Sequence, residues 1–327
     1  MRFFKLLPNL LALCVLVGMI SCDRADDSPV STDSFYRLNA FETGVNPNFR
    51  QVSILFQVKD YDGNGVPGLT EEDFIVTENG GRIDSEANLK IDPDSIPFAL
   101  KTVLLLDVSS SVTDFVPQIK EATKALVNQK LNNQEIAIYT FDSQTHLILD
   151  FTTDKTTLIN AIDNLPETNL INSTNLYSGI IEVSDLWQDK YTIDNIEDGS
   201  LIVFTDGRHN ATQAVSLSDA KSAIAGKKVY IAALNSADLD VASLQQLASQ
   251  NDHYFLADNI ATLEGTFLNI QTEIQNLSKS IYYMFYQSPI SDPTPFDNEL
   301  TVTVKNNRNP EENRRIFEVF SSVGFGG

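Results

Sequence analysis

The sequence predicts an α/β protein: a doubly wound, mainly parallel six-stranded sheet with one antiparallel edge strand, inserted in or flanked by a small β-sandwich. The first observation is an alternation. Between residues 99 and 280, apolar segments at 103–106, 136–141, 147–151, 201–204, 229–234 and 253–256 are separated by helix-period segments, which means a sheet covered on both faces. The second is the linker Asp142-Ser143-Gln144. It is far too short for a parallel crossover, so 147–151 runs antiparallel at an edge. The third is that residues 35–98 and 281–323 carry strand and turn patterns without helices.

The chain opens with a targeting segment. Arg2 and Lys5 precede an apolar stretch at 10–20 that is short for a bilayer span. Met19-Ile20-Ser21-Cys22 then resembles a bacterial lipoprotein signal, in which the cysteine becomes lipid-modified and N-terminal. The two cysteines are Cys14, inside the apolar stretch, and Cys22. With residues 1–21 removed as a signal peptide, one thiol is left and no intramolecular disulfide can form. Residues 22–34 are polar and acidic and read as a flexible tether. The resemblance implies lipid attachment at Cys22 and a place in the bacterial cell envelope, on the outer membrane or cell surface. Asp23 also resembles an inner-membrane retention signal, so both leaflets stay in play.

In residues 35–98, Val52, Ile54, Phe56 and Val58 alternate as on a half-buried strand, and Phe74 and Val76 precede an Asn79-Gly80 hairpin turn. This unit is thin for an independent core. The alternating segments at 281–323 supply the missing strands, and the two flanks are expected to pair into one sandwich with 99–280 inserted. Asp60, Asp62, Asn64 and Glu71, with Gly65, match the spacing of a calcium-binding EF-hand loop. The flanks are strand-like and Pro67 breaks the pattern, so a hairpin turn is preferred, with the calcium loop as its alternative.

Within 99–280, helices are expected at 116–129, 155–164, 175–187, 218–224, 241–249 and 261–278. In the last, Leu263, Phe267, Ile270, Ile274 and Leu277 recur in helical period. His146 and His253 sit in strand patterns and read as structural. Three histidines without clustered spacing give no zinc site.

A formal net charge of -21 argues against nucleic acid and against docking of the body on anionic lipid. Most of that charge needs no partner, being an ordinary solvated surface.

Chemistry concentrates at strand ends. The apolar run 103–106 ends in Asp107, followed by Ser109 and Ser111, a carboxylate and two hydroxyls offering oxygen to a hard cation. In an open α/β sheet the partners belong at the carboxyl ends of other strands. The run 201–204 ends in Thr205-Asp206-Gly207, and Ser173-Thr174-Asn175 opens a helical pattern. Arg208 and His209 read as exposed loop residues.

These motifs, D-x-S-x-S, S-T-N-L-Y and V-F-T-D-G in order, resemble the von Willebrand factor A (VWA) domain over about residues 99–277. The resemblance implies a metal-ion-dependent adhesion site (MIDAS) of Asp107, Ser109, Ser111, Thr174 and Asp206, holding Mg2+, or Mn2+ or Ca2+. In the family the serines bind metal directly, the threonine directly or through water, and the aspartates commonly through water. The open position takes a Glu or Asp carboxylate from a protein partner. Ser173 departs from the family, where glycine often precedes the threonine. The flanks are similar to bacterial exported proteins with a β-sandwich beside an A domain. The alternative function is a magnesium-dependent hydrolase or phosphoryl-transfer enzyme using the same aspartates. No second acid follows Asp107 at phosphatase spacing, and there is no phosphate loop or GxSxG elbow. The chain is therefore read as a non-enzymatic, envelope-anchored interaction module, with the membrane reached through the lipid alone.

Overall fold

Alternating side chains on either side of Pro47 produce β1 (Arg37–Asn46) and β2 (Gln51–Lys59), paired antiparallel in the computed structural model. The structure describes residues 34–84, 87–92, 95–167, 171–211, 215–291 and 297–325. The expected signal peptide, Cys22 and nearly all of the tether lie outside the described residues. β3 (Phe74–Glu78) and β4 (Gly81–Ile83) are joined by Asn79-Gly80, both at positive φ (49° and 79°), as a type I′ turn requires. β5 (Lys90–Ile91) completes this first group.

The α/β part follows in chain order: β6 (Phe98–Asp107), α1 (Val116–Asn128), β7 (Gln134–Phe141), β8 (Thr145–Thr152), α2 (Lys155–Asp163), α3 (Leu176–Ser184), β9 (Lys190–Thr192) and β10 (Asn195–Thr205). Then come α4 (Leu217–Ala223), β11 (Lys228–Leu234), α5 (Val241–Leu247), β12 (Tyr254–Ala257) and α6 (Leu263–Lys279). The main sheet order is β12-β11-β10-β6-β7-β8, parallel except for β8 at the edge. Apolar runs are continuous because both faces are covered. Leu104 and Leu106 of β6 face a core shared with α1, α2 and α6, whereas Val103 and Leu105 face α3, α4 and α5.

The sheet has a seventh strand where six were expected. β9 pairs antiparallel with residues 195–197 of a polar N-terminal extension of β10 that runs on to Asp198. Asp198 in that extension is buried, and Lys228 of β11 reaches its carboxylate as well as Asp189 at 3.3 Å. The helix expected over 175–187 stops at Ser184, and Trp187 folds back onto Gly199. A Cβ at Gly199 would lie 1.8 Å from the indole Cδ1 of the buried Trp187. Gly199→Ala is therefore expected to cost about 1–3 kcal/mol of stability by overpacking, read from the midpoint of urea unfolding. An unchanged midpoint would contradict this packing.

The last strands are β13 (Ile281–Gln287), β14 (Asp297–Val304) and β15 (Arg315–Ser321). They join the first group in two antiparallel sheets, ordered β1-β2-β13-β5 and β15-β14-β3-β4. Ile54, Phe56 and Met284 from one sheet and Val76, Leu300 and Val302 from the other fill one core between them. Leu55 and Ile281 point away from that core and meet Ile96 and Ile196 of the α/β part. Among the described residues no helix is long and apolar enough to cross a membrane.

Candidate metal centre

The parallel register of β6 and β10 sets Leu106 opposite Phe204, which brings the strand ends carrying Asp107 and Asp206 together. Their order reverses beside β6, the place where open α/β sheets form sites. Asp107 is fully buried, and both its oxygens are engaged: Oδ1 accepts the Ser109 N–H at 2.9 Å, and Oδ2 accepts the Thr205 hydroxyl at 2.6 Å. The first bond curls the chain after the strand, as an Asx turn does. Ser109 and Ser111 then lie with Oγ atoms 3.0 Å apart, and the Ser111 hydroxyl donates to Asp206 Oδ1 at 2.8 Å. Four of the five expected residues thus form one hydrogen-bonded chain, Asp107–Ser109–Ser111–Asp206, in which both aspartates are buried and Ser111 is exposed.

Thr174 arrives from the segment before α3 and is buried. Its N–H donates to Asn210 Oδ1 at 2.7 Å, and its carbonyl accepts the Asn210 N–H at 3.1 Å. A Cβ on Gly207 would sit 3.9 Å from Thr174 Oγ1, so the threonine hydroxyl faces the Asp206-Gly207 turn. Of these, Thr205 and Asn210 are invisible as site residues in the sequence. Thr205 reads as the end of a strand, and Asn210 as one more polar loop residue.

Burial pushes the Asp107 carboxyl up to about 6, although Ser109 and Thr205 pull it down by hydrogen bonding to the ionised form. Burial also raises Asp206, against the bond from Ser111. The charges that weigh most on this pair are other carboxylates, Asp206 on Asp107 and Asp238 on Asp206, and each raises its neighbour further. Two desolvated carboxylates without a cationic partner are costly when ionised, and the hydroxyls around them are neutral donors suited to a hard cation. The residues present therefore fit a divalent metal. The described residues contain no cluster of three or more His, Cys, Asp or Glu side chains, so any such ion depends on the hydroxyls.

At the rim, the His209 ring stacks on Tyr177 at 4.1 Å, and its Nδ1 accepts the Tyr177 N–H at 3.5 Å. Burial lowers the His209 pKa, favouring the neutral ring that this bond needs. His209 is thus half-buried rather than a free loop residue, while Arg208 is exposed as expected. His146 is half-exposed beside Asp142, 3.5 Å away, and is not a core residue. His253 is buried against Tyr230 and Glu273.

The residues of the alternative calcium loop are engaged otherwise. Asp60 accepts from the Asn64 N–H at 2.9 Å and from its side-chain amide at 3.2 Å, which closes a turn after β2. Glu71 Oε1 accepts the Ile91 N–H at 2.8 Å. The segment follows β2, whose last residue Lys59 bridges to Gly65, so it forms a hairpin-like turn, the preferred reading of the sequence, and does not lie between two α-helices.

The family model of the von Willebrand factor type A domain matches residues 102–269, just over half of the chain. The chain belongs to that family. Among solved structures, the VWA chain is similar to proximal thread matrix protein 1 of the mussel byssus, with TM-score 0.45, 16% identity and 57% of this chain covered. It spans 48% of that protein's length. Another structure of the mussel protein has a zinc-occupied MIDAS motif. BatB from Bacteroides thetaiotaomicron gives TM-score 0.46 and 17% identity over 56% of this chain and 100% of its own. A von Willebrand factor type A protein from Catenulispora acidiphila gives TM-score 0.47 and 11% identity over 89% and 74%. No curated protein matches.

VWA domains are typically interaction modules, and the chemistry of this site agrees with such a role. Ser109 and Ser111 hydrogen-bond to each other and Ser111 donates to Asp206, and among the described residues no histidine or lysine side chain bonds to either hydroxyl. Asp107 has no exposed oxygen to act as a nucleophile.

Proposed function

We propose that this chain is an envelope-anchored, metal-dependent adhesion module that grips an acidic side chain of a partner protein. The observation that carries the reading is the pair of buried carboxylates, Asp107 and Asp206, with no ion-paired cation among the described residues and with Ser109, Ser111 and Thr174 hydroxyls gathered at the same strand ends. Ser109, Ser111 and Thr174 would hold Mg2+, or Mn2+ or Ca2+, with Asp206 beside them. Asp107, bonded through both oxygens, orients the serine loop and contributes charge from below. A bound divalent ion supplies a Lewis-acidic position for a carboxylate oxygen. Because the donors other than the two aspartates are neutral, that position keeps its affinity for an anion. The acidic body, at -21, then meets an acidic partner group through the metal rather than by direct contact.

The N-terminal pattern supports anchoring by lipid at Cys22 after loss of residues 1–21, with residues 22–34 as tether and the outer membrane or cell surface as location. The test is capture from a cell-envelope extract by the full chain in Mg2+ or in chelator, using wild type and Asp107→Ala. The expected capture needs Mg2+ and Asp107, and it is lost when the extract's carboxyl groups are amidated. Capture that survives chelator or amidation unchanged would overturn the reading.

A further inference from the structure

We propose that Asn210 is a positioning residue of the metal centre, clamping Thr174 to the loop that carries Asp206 so that the two segments act as one body. The inference rests on reading Asp107, Ser109, Ser111, Thr174 and Asp206 as a divalent-cation site. Asp206 needs no such help, since it follows directly on β10, which is laddered to β6 on one side and β11 on the other. Thr174 has no strand beneath it. It lies in the segment between residue 171 and α3, where position depends on individual hydrogen bonds.

Asn210 engages both backbone groups of Thr174. Its side-chain Oδ1 takes the N–H at 2.7 Å, and its own N–H donates to the carbonyl at 3.1 Å. The neighbouring residue repeats the connection one turn further on. His209 Nδ1 takes the Tyr177 N–H, a first-turn donor of α3 without an intrahelical partner, and the two rings stack. The loop at 207–210 thus caps the first turn of α3 from outside. Behind Thr174, the Asn175 N–H is pinned to the Asp142 carbonyl at 2.6 Å. Thr174 is thus fixed from two sides, and its hydroxyl faces the turn at Gly207. Without the Asn210 side chain, one of the two bonds to Thr174 is lost. The ordering of its hydroxyl then becomes a cost of binding the ion, the usual consequence of removing a group that orients a ligand.

Asn210 is exposed, so its replacement leaves the core intact. In the full chain in chelator, hydrogen exchange at the Thr174 amide is expected to quicken about tenfold or more in Asn210→Ala, because its acceptor is gone. Calorimetric titration with Mn2+ alone should then show affinity weakened by about 10–100-fold, with the melting temperature in chelator near that of wild type. Asn210→Asp keeps an acceptor oxygen and is expected to restore both slow exchange and tight binding. If wild type binds Mn2+ and Asn210→Ala binds it equally well, or the Thr174 amide exchanges at the wild-type rate, the clamp is overturned and the metal reading stands. A wild type that binds no Mn2+ overturns the metal reading and the positioning role with it.

Discussion

Saturating Mg2+ or Mn2+ is expected to raise the melting temperature of the wild-type protein by about 4 °C and to leave Asp206→Ala unmoved. The ion finds its donors gathered only in the native state, because Ser109 and Ser111 follow one strand, Asp206 another, and Thr174 precedes a helix. A ligand that binds the folded state alone adds about 2.7 kcal/mol of stability at a hundred times its dissociation constant. With an unfolding entropy of about 2.1 cal/mol/K per residue, each kcal/mol moves the midpoint of a chain of this size by about 1.5 °C. Asp206→Ala removes a carboxylate whose ionised form is disfavoured by burial, and whose shown side-chain contact is the bond from Ser111, so the variant folds and serves as the reference. Asp60→Ala provides the second control. Its carboxylate is engaged with Asn64 in a turn, and it is expected to respond to metal as wild type does. Equal shifts in wild type and Asp206→Ala would place the ion elsewhere. A loss of the shift in Asp60→Ala would return the loop at 60–71 to consideration.

The fold and most of this site can be read from residues because the signals are local. β6 and β10 are apolar runs buried on both faces, and each ends in a carboxylate. Ser109 and Ser111 alternate directly after one of them, and Thr174 stands where a helical period begins. What escapes is whatever depends on a distant partner. The extension of β10 contains Glu197 and Asp198 and looks like a loop, yet it is strand, because Lys101 reaches Glu197 and Lys228 reaches Asp198. α3 ends early because Trp187 packs onto Gly199, a contact that no helical period announces. Thr205 and Asn210 are hidden for the same reason. Each gains its role from a side-chain hydrogen bond across the site, to Asp107 and to Thr174. The pairing of β2 with β13 and of β3 with β14 lies between these cases. The strands are visible locally, and their partnership is suggested by the thinness of each flank alone.

Asp107→Asn is expected to make the metal-free protein more stable than wild type at pH 8, by up to about 3 kcal/mol. The folded protein holds the Asp107 carboxyl near 6, against an ordinary value of 3.8, because burial disfavours the charged form. An acid raised in the folded state stabilises the fold while it stays protonated. Below about pH 4 both folded and unfolded chains carry the proton and Asp107 adds no pH dependence. Between pH 4 and 6 the unfolded chain ionises first, so stability falls as pH rises. Above 6 the loss is complete, and at about 1.4 kcal/mol per decade it amounts to about 3 kcal/mol. Asparagine escapes that loss because it never ionises, and its carbonyl can keep the Ser109 N–H bond while the Thr205 hydroxyl turns to accept from the amide. Urea midpoints in chelator should therefore agree for the two proteins near pH 4 and separate, with the variant higher, as pH rises to 8. Saturating Mg2+ at pH 8 narrows or reverses the gap, since it stabilises wild type and finds one carboxylate too few in the variant. A variant less stable than wild type at pH 8 in chelator would mean that the folded protein already balances the Asp107 charge, and the case for a cation at these strand ends would lose its physical basis.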